Sequence, residues 1–294
     1  MDNFYYIYER FTGLWRLPIS PKNSQKYNSD GIDLRENCVN LKSHSGSHNN
    51  YCKTIRTGHS VLVLNSESKA IEVIQLTKQG KITNKSIKID INQILETTSK
   101  GSDQQKIQIV DHVIYGDKKS KIVVLTKQLN LILLEFDIYL EHFRVLDDIQ
   151  VHYCYKLGGD TGATLAVCPS SRFLAVHTRH KGNKAGKVVI YDLRNGVFEY
   201  KNSVSFARNN VNYFKCMEFS GYFGNHLFLL CLSSAAEKTM FFNLDYNTES
   251  EVFCEIQKLR TSKKMSQIYR MQMVAGLLRF SDSSGRICQA IYHD

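Results

Sequence analysis

Cys38, His44, His48 and Cys52 follow a C-x5-H-x3-H-x3-C spacing. Four nitrogen and sulfur donors within one short segment could hold zinc, which takes such ligands at about 2.0–2.3 Å in a tetrahedron. The surrounding stretch is Ser-, His- and Asn-rich and has neither a C-x2-C knuckle nor flanking glycines. Such a loop collects histidines by composition alone, so no metal is expected and the four residues stand only as zinc candidates. His177 and His180 sit beside Arg179 and Lys181 after an apolar run. A phosphate or metal role there is outweighed by a solvated loop between strands, because two histidines without a third ligand are weak evidence.

Other chemistry finds less support. There is no G-x-S-x-G nucleophile elbow. Gly158-Gly159-Asp160-Thr161-Gly162 lacks the Lys-Ser/Thr that would make it a phosphate loop, and it reads as a turn. The carboxylates are spread one or two per connector, so spacing nominates no acid–base pair. No catalytic residue and no cofactor is expected from these patterns. The eight cysteines form no C-x-x-C pair, and several lie in apolar runs such as Leu230-Cys231-Leu232. They read as reduced, buried thiols.

The elements that must position any site read as strands. Short runs rich in Val, Ile, Leu, Phe and Tyr recur in pairs: residues 60–65 with 70–76, 121–126 with 130–136, 173–178 with 187–193, 226–232 with 239–244, and 276–280 with 286–292. Residues 4–10 with 13–18 have the same form. All three prolines, Pro18, Pro21 and Pro169, fall at the edges of these runs. Asn195-Gly196 between two strands predicts a two-residue type I′ hairpin. Residues 85–97 carry both alternation and a helical stripe at Ile87, Ile91, Ile94 and Leu95, which predicts a strand leading into a helical turn. Residues 20–51 are polar and without period, and they predict a long loop or insertion.

The second strands of these pairs centre on Trp15, Ile74, Leu133, Ile190, Phe242 and Gln289, at spacings of 59, 59, 57, 52 and 47. Near-regular strand pairs at this distance suggest the blades of a β-propeller, in which each sheet buries its faces against its neighbours. The expectation is a single all-β domain spanning residues 1–294, a propeller of six irregular blades, or seven if a loop hides a degenerate one. Ring closure is expected to pair residues 4–10 with the last unit.

One stretch adds a resemblance. Ala163-Thr164-Leu165-Ala166-Val167-Cys168-Pro169-Ser170-Ser171-Arg172-Phe173-Leu174-Ala175-Val176 looks like the start of a WD-repeat (WD40-type) blade. Lys187-Val188-Val189-Ile190-Tyr191-Asp192 resembles the strand that closes such a blade on Trp-Asp, with Tyr191 at the tryptophan position and Asp192 matching. Phe242-Asn243-Leu244-Asp245 and Leu134-Glu135-Phe136-Asp137 are weaker echoes. The resemblance covers residues 162–200 and implies a propeller used as a binding platform.

Charge and aromatics complete the functional expectation. Lys and Arg number 38 against 28 Asp and Glu, a net charge of +10, but the lysines are scattered through turns. Tyr5, Tyr6 and Tyr8 crowd the N-terminus, and Tyr222 and Phe223 lie in a second aromatic cluster. These are interaction candidates, with core packing as the plainer reading. No apolar run reaches the ~20 residues of a membrane span, and no signal peptide is visible, so the chain is expected inside the cell. The function expected is a non-catalytic protein–protein scaffold within a larger assembly, with other protein subunits as partners. The alternatives are a nucleic-acid-associated propeller using the basic surface and a propeller enzyme with a metal or hydrolytic centre.

Overall fold

The computed structural model describes residues 4–9, 13–18, 39–42, 55–58, 61–67, 70–77, 81–98, 108–116, 120–151, 164–179, 186–206, 214, 216–235, 238–259, 268–274, 277–282 and 287–291. Among them the all-β expectation holds, with six small antiparallel sheets and one short helix.

The sheets follow chain order. Sheet one is β1 (Phe4–Glu9), β2 (Gly13–Pro18) and β3 (Val39–Lys42). Sheet two is β4 (Ile55–Gly58), β5 (Val61–Glu67), β6 (Ala70–Leu76) and β7 (Ile82–Asp90), and helix α1 (Ile91–Thr98) follows directly. Sheet three is β8 (Ile109–Tyr115), β9 (Ser120–Thr126), β10 (Asn130–Asp137) and β11 (His142–Gln150). Sheet four is β12 (Thr164–Val167), β13 (Phe173–Arg179), β14 (Gly186–Asp192) and β15 (Glu199–Ser205). Sheet five is β16 (Cys216–Phe223), β17 (His226–Ala235), β18 (Lys238–Asn247) and β19 (Val252–Leu259). Sheet six is β20 (Ile268–Val274), β21 (Leu277–Asp282) and β22 (Ile287–Ile291). Each sheet is an up-and-down meander in which consecutive strands pair. The first strands lie against one another in sequence: β1 by β4, β4 by β8, β8 by β12, β12 by β16, and β16 by β20.

The core lies in the seams between sheets. Val63, Ile71, Val73 and Ile89 of sheet two, with Ile91 and Ile94 of α1, meet Ile122, Val124, Ile132 and Leu134 of sheet three. Leu125, Leu131 and Leu133 on the other face of sheet three meet Leu174, Val176, Val189 and Tyr191 of sheet four. Phe173, Ala175, Val188 and Ile190 on the far face of sheet four meet Leu229, Cys231, Phe242 and Leu244 of sheet five. Strands buried on both faces need continuous apolar runs, and Ile122-Val123-Val124-Leu125 and Val188-Val189-Ile190-Tyr191 are such runs, entirely buried.

One irregularity recurs. The pairing between third and fourth strands shifts between Leu133 and Leu134, between Ile190 and Tyr191, and between Asp245 and Tyr246. Each bulge leaves one fourth-strand residue unpaired: Leu146, Lys201 and Cys254. The hairpins just beyond are capped alike. Oδ1 of Asp137 accepts the N–H groups of Tyr139 and Leu140, Asp192 accepts that of Arg194, and Asn247 accepts those of Glu249 and Ser250. Asn and Asp favour such sites because their short side chains mimic a backbone turn. The cap in sheet five is therefore Asn247, and Asp245 is not the counterpart of Asp192.

Three expectations change. The Asn195-Gly196 hairpin is longer than two residues, since Asp192 pairs with Glu199. Gly196 alone there takes a left-handed φ of 72°, and its N–H donates to Leu193 O at 3.1 Å, so a capped turn replaces the type I′ geometry. The strand Phe4–Glu9 pairs with β2 within its own three-stranded sheet, and no pairing with the last unit is found among the described residues. His177 belongs to β13 and is fully buried, where a solvated loop was expected. The passage from β7 straight into α1 matches the strand-then-helix reading. No helix among the described residues is long and apolar enough to cross a membrane.

Candidate functional site

Where first strands meet, Asp111 of β8 reaches β12. Its Oδ2 accepts from Thr164 Oγ1 at 3.0 Å and from the Leu165 N–H at 2.9 Å, and its Oδ1 accepts from the His112 N–H at 2.9 Å. Asp111 is 5% exposed and Thr164 4%, so the charge is held by three donors rather than by water. This carboxylate ties two sheets. The first strands also carry Glu218, part-exposed on β16, together with Arg56 on β4 and Arg270 on β20.

A second polar tie joins sheets four and five. The Phe214 N–H donates to His177 Nε2 at 2.9 Å, and His177 Nδ1 lies 3.1 Å from Lys187 O. Bonding to a carbonyl on one side and an N–H on the other makes the imidazole neutral, with its proton on Nδ1. Burial pushes its pKa down to about 3. Both ring nitrogens are engaged, so His177 is structural.

The turn after β12 gathers a third group. Cys168 Sγ lies 3.1 Å from Ser170 Oγ, accepts the Phe173 N–H at 3.1 Å, and takes the Tyr222 hydroxyl at 3.3 Å. Tyr222 Oη and Ser170 Oγ are 2.7 Å apart. Burial and the Cys168 contact push the Tyr222 phenol up to about 12, so it stays protonated and donates. Near it, Asp192 Oδ2 accepts from Arg172 Nε at 3.0 Å and from Arg194 Nε at 2.9 Å. Burial opposes the charge of Asp192, but the Arg194 N–H and the two guanidiniums outweigh it and hold the carboxyl below its usual range. The Arg172 guanidinium also stacks 4.4 Å over the Phe173 ring.

The fourth group spans three strands of sheet five. His226 opens β17, Asp245 lies on β18 and Cys254 is the bulge residue of β19. His226 Nδ1 is 2.8 and 2.9 Å from the two oxygens of Asp245. One ligand atom from each of the three lies within 4.8 Å of the others.

Sequence-derived candidates fare unevenly. Cys38, His44, His48 and Cys52 lie outside the described residues. Tyr5, Tyr6 and Tyr8 fall on β1, but their side chains lie outside the described residues. Tyr222 and Phe223 sit at the β16–β17 hairpin, and Phe223 is 79% exposed. Cys168, Cys216 and Cys231 are buried and in no disulfide, as expected, whereas Cys254, also in no disulfide, is exposed. The His226, Asp245 and Cys254 group escaped notice because its members are 19 and 9 residues apart and meet only through strand register. The one signal was chemical, three potential ligands on three successive strand segments.

No family model matches the sequence, and no curated protein matches it. Solved structures do. A protein of Bacteroides uniformis provisionally assigned as a 6-phosphogluconolactonase is similar at a TM-score of 0.60 and 12% identity, over 98% of this chain and 77% of that one. A protein of Bacteroides fragilis with the same provisional assignment is similar at 0.59 and 9%, over 98% of this chain and 80% of that one. The WD-repeat resemblance over residues 162–200 is thereby corrected. Apolar strands ending in an Asx-capped turn satisfy that pattern without the family, because the cap at Asp192 is general turn chemistry. The expectations of a non-catalytic scaffold and of a non-enzyme are corrected too, since both neighbours bear the name of an enzyme. At these identities the likeness shows a shared fold.

Proposed function

We propose that the chain is a six-bladed β-propeller enzyme of the hydrolase class, opening the cyclic ester of a phosphorylated sugar acid. The observation that carries this reading is the backbone likeness over 98% of the chain to structures named for that reaction. Six consecutive meanders, with first strands adjacent and cores in the seams, support a ring that takes up the whole chain as one domain.

A ring brings its first strands around an axis, and the substrate is placed there. Lactone opening needs a base that takes a proton from water as the water oxygen adds to the carbonyl carbon. The proton then passes to the ring oxygen as the C–O bond breaks. Glu218, the part-exposed carboxylate on a described first strand, is assigned that base role. Asp111 is a positioning residue, because its oxygens are already taken by Thr164, Leu165 and His112. The net charge of +10 steers an anionic substrate toward the protein.

Proton release during hydrolysis of 6-phosphogluconolactone tests the reading. The expected result is turnover well above the spontaneous rate, with Glu218→Gln lowering kcat by ~100-fold or more at unchanged fold. Wild-type protein that adds nothing to the spontaneous rate rules out the function; full activity in Glu218→Gln rules out only the role of Glu218.

A further inference from the structure

We propose that His226, Asp245 and Cys254 form a binding site for a divalent cation of the zinc class, with one coordination position left open to water. The site sits on the second, third and fourth strands of sheet five and is independent of the lactonase reading.

The backbone explains why three distant residues converge. Asp245 pairs with Glu255 and Tyr246 with Phe253, so Cys254 is the extra residue of the bulge. A bulge re-aims the side chain it displaces. The equivalent residue of sheet four, Lys201, reaches Glu199 at 2.7 Å and Glu251 at 2.9 Å. In sheet five the same device brings a thiol beside an imidazole and a carboxylate.

The donor set selects the ion. One nitrogen, one carboxylate oxygen and one sulfur suit zinc or a similar borderline cation, whereas calcium and magnesium favour all-oxygen sites. Three protein ligands with water in the fourth place is the usual form of an open zinc site. Cys254 is exposed and the His226 side chain is 39% exposed, so an ion has an entry path. Without metal, the Nδ1 proton bridges His226 to Asp245 over 2.8 Å. With metal, two ligands at ~2.0–2.1 Å in a tetrahedron stand about 3.3 Å apart, so the pair opens by roughly half an ångström. The imidazole proton moves from Nδ1 to Nε2, and Cys254 gives up its thiol proton. One proton is released per ion when the imidazole starts neutral, so affinity rises with pH.

Cobalt(II) is the probe, added to the full-length protein carrying Cys38→Ser and Cys52→Ser, which removes the other candidate thiols. The expected result is one equivalent bound, a thiolate-to-cobalt charge-transfer band, and displacement of cobalt by zinc. Cys254→Ser should abolish the band, and Asp245→Asn should weaken binding at least ~10-fold. In nitrogen-15 spectra, the His226 ring should pass from the Nδ1–H to the Nε2–H form on zinc addition. Absence of a charge-transfer band at saturating cobalt overturns the proposal. So does a band that persists undiminished in Cys254→Ser, or a His226 ring unmoved by zinc.

Discussion

The Phe214 N–H donates to His177 Nε2 over 2.9 Å, and the two rings pack edge to face at 4.9 Å between centroids. One histidine on the second strand of sheet four thus holds the chain entering sheet five. Phe214 in turn packs edge-on against Phe206 at 4.7 Å and Phe242 at 5.9 Å, so the hydrogen bond anchors an aromatic cluster. Protonating Nε2 would set N–H against N–H and place a charge in that cluster.

Acid should therefore weaken the fold through His177. The native pKa, about 3, lies below the ordinary value of 6.5. Below 6.5 the unfolded chain takes a proton that the folded chain refuses, so stability is full above 6.5 and falls toward 3. The slope is about 1.4 kcal/mol per pH unit for one proton. Urea unfolding of the wild type and of His177→Gln at pH 7 and pH 5 checks this, with the variant expected to lose that part of the slope. Equal slopes in both proteins refute the assignment.

Ile190 pairs with Ala175 and Asn202 in β14 and is fully buried in the seam between sheets four and five. Ile190→Asp places an unpaired charge there, and a loss on the order of 3 kcal/mol or more is expected. Thermal unfolding by circular dichroism reads it, and a variant as stable as the wild type would contradict the seam.

Two phenylalanines of one sheet should behave oppositely. Phe242 is 1% exposed and touches Phe206 and Phe214, while Phe223 is 79% exposed at a hairpin. Phe242→Ala should cost about 3–5 kcal/mol. Phe223→Ala should stay within about 0.5 kcal/mol. Comparable losses at both positions in denaturant titrations would show that the burial of sheet five is misassigned.

Much of the sheet architecture was legible because alternation and apolar runs report burial directly. Val188–Tyr191 and Ile122–Leu125 lie in runs that read as strands from composition alone, and the 85–97 ambiguity resolved into β7 and α1 as the mixed periods suggested. What stayed hidden depends on register. His177 carries no sign in the sequence that a backbone N–H 37 residues later will occupy its Nε2. Nor does Cys254 announce a bulge, since the extra residue is defined only by its partner strand. The Asn195-Gly196 pair misled because the turn is built by Asp192 and closed earlier in the chain.

Asp192 itself gives a further test. Asp192→Asn keeps an oxygen for the Arg194 N–H but removes the charge that faces Arg172 and Arg194. A loss of about 2 kcal/mol is expected at neutral pH. Because the folded carboxyl titrates below its ordinary range, the difference from wild type should vanish as acid protonates Asp192. A gap that stays undiminished as the pH is lowered below the ordinary carboxyl range would assign the loss to something other than the charge.

The inner strands of the middle sheets bury apolar residues on both faces. Along β14, Val188 and Ile190 serve one core and Val189 and Tyr191 the next. A slip of one residue would exchange the two sets yet leave apolar groups facing apolar groups, so water-avoidance alone is nearly blind to the error. The strand must be pegged by something that cannot slide. Asp192 supplies the peg at its end, since moving it one place would part its carboxylate from both guanidiniums and from the turn it caps. A single buried acid at the lip of the sheet thus acts as the alignment mark for a strand whose own side chains carry none.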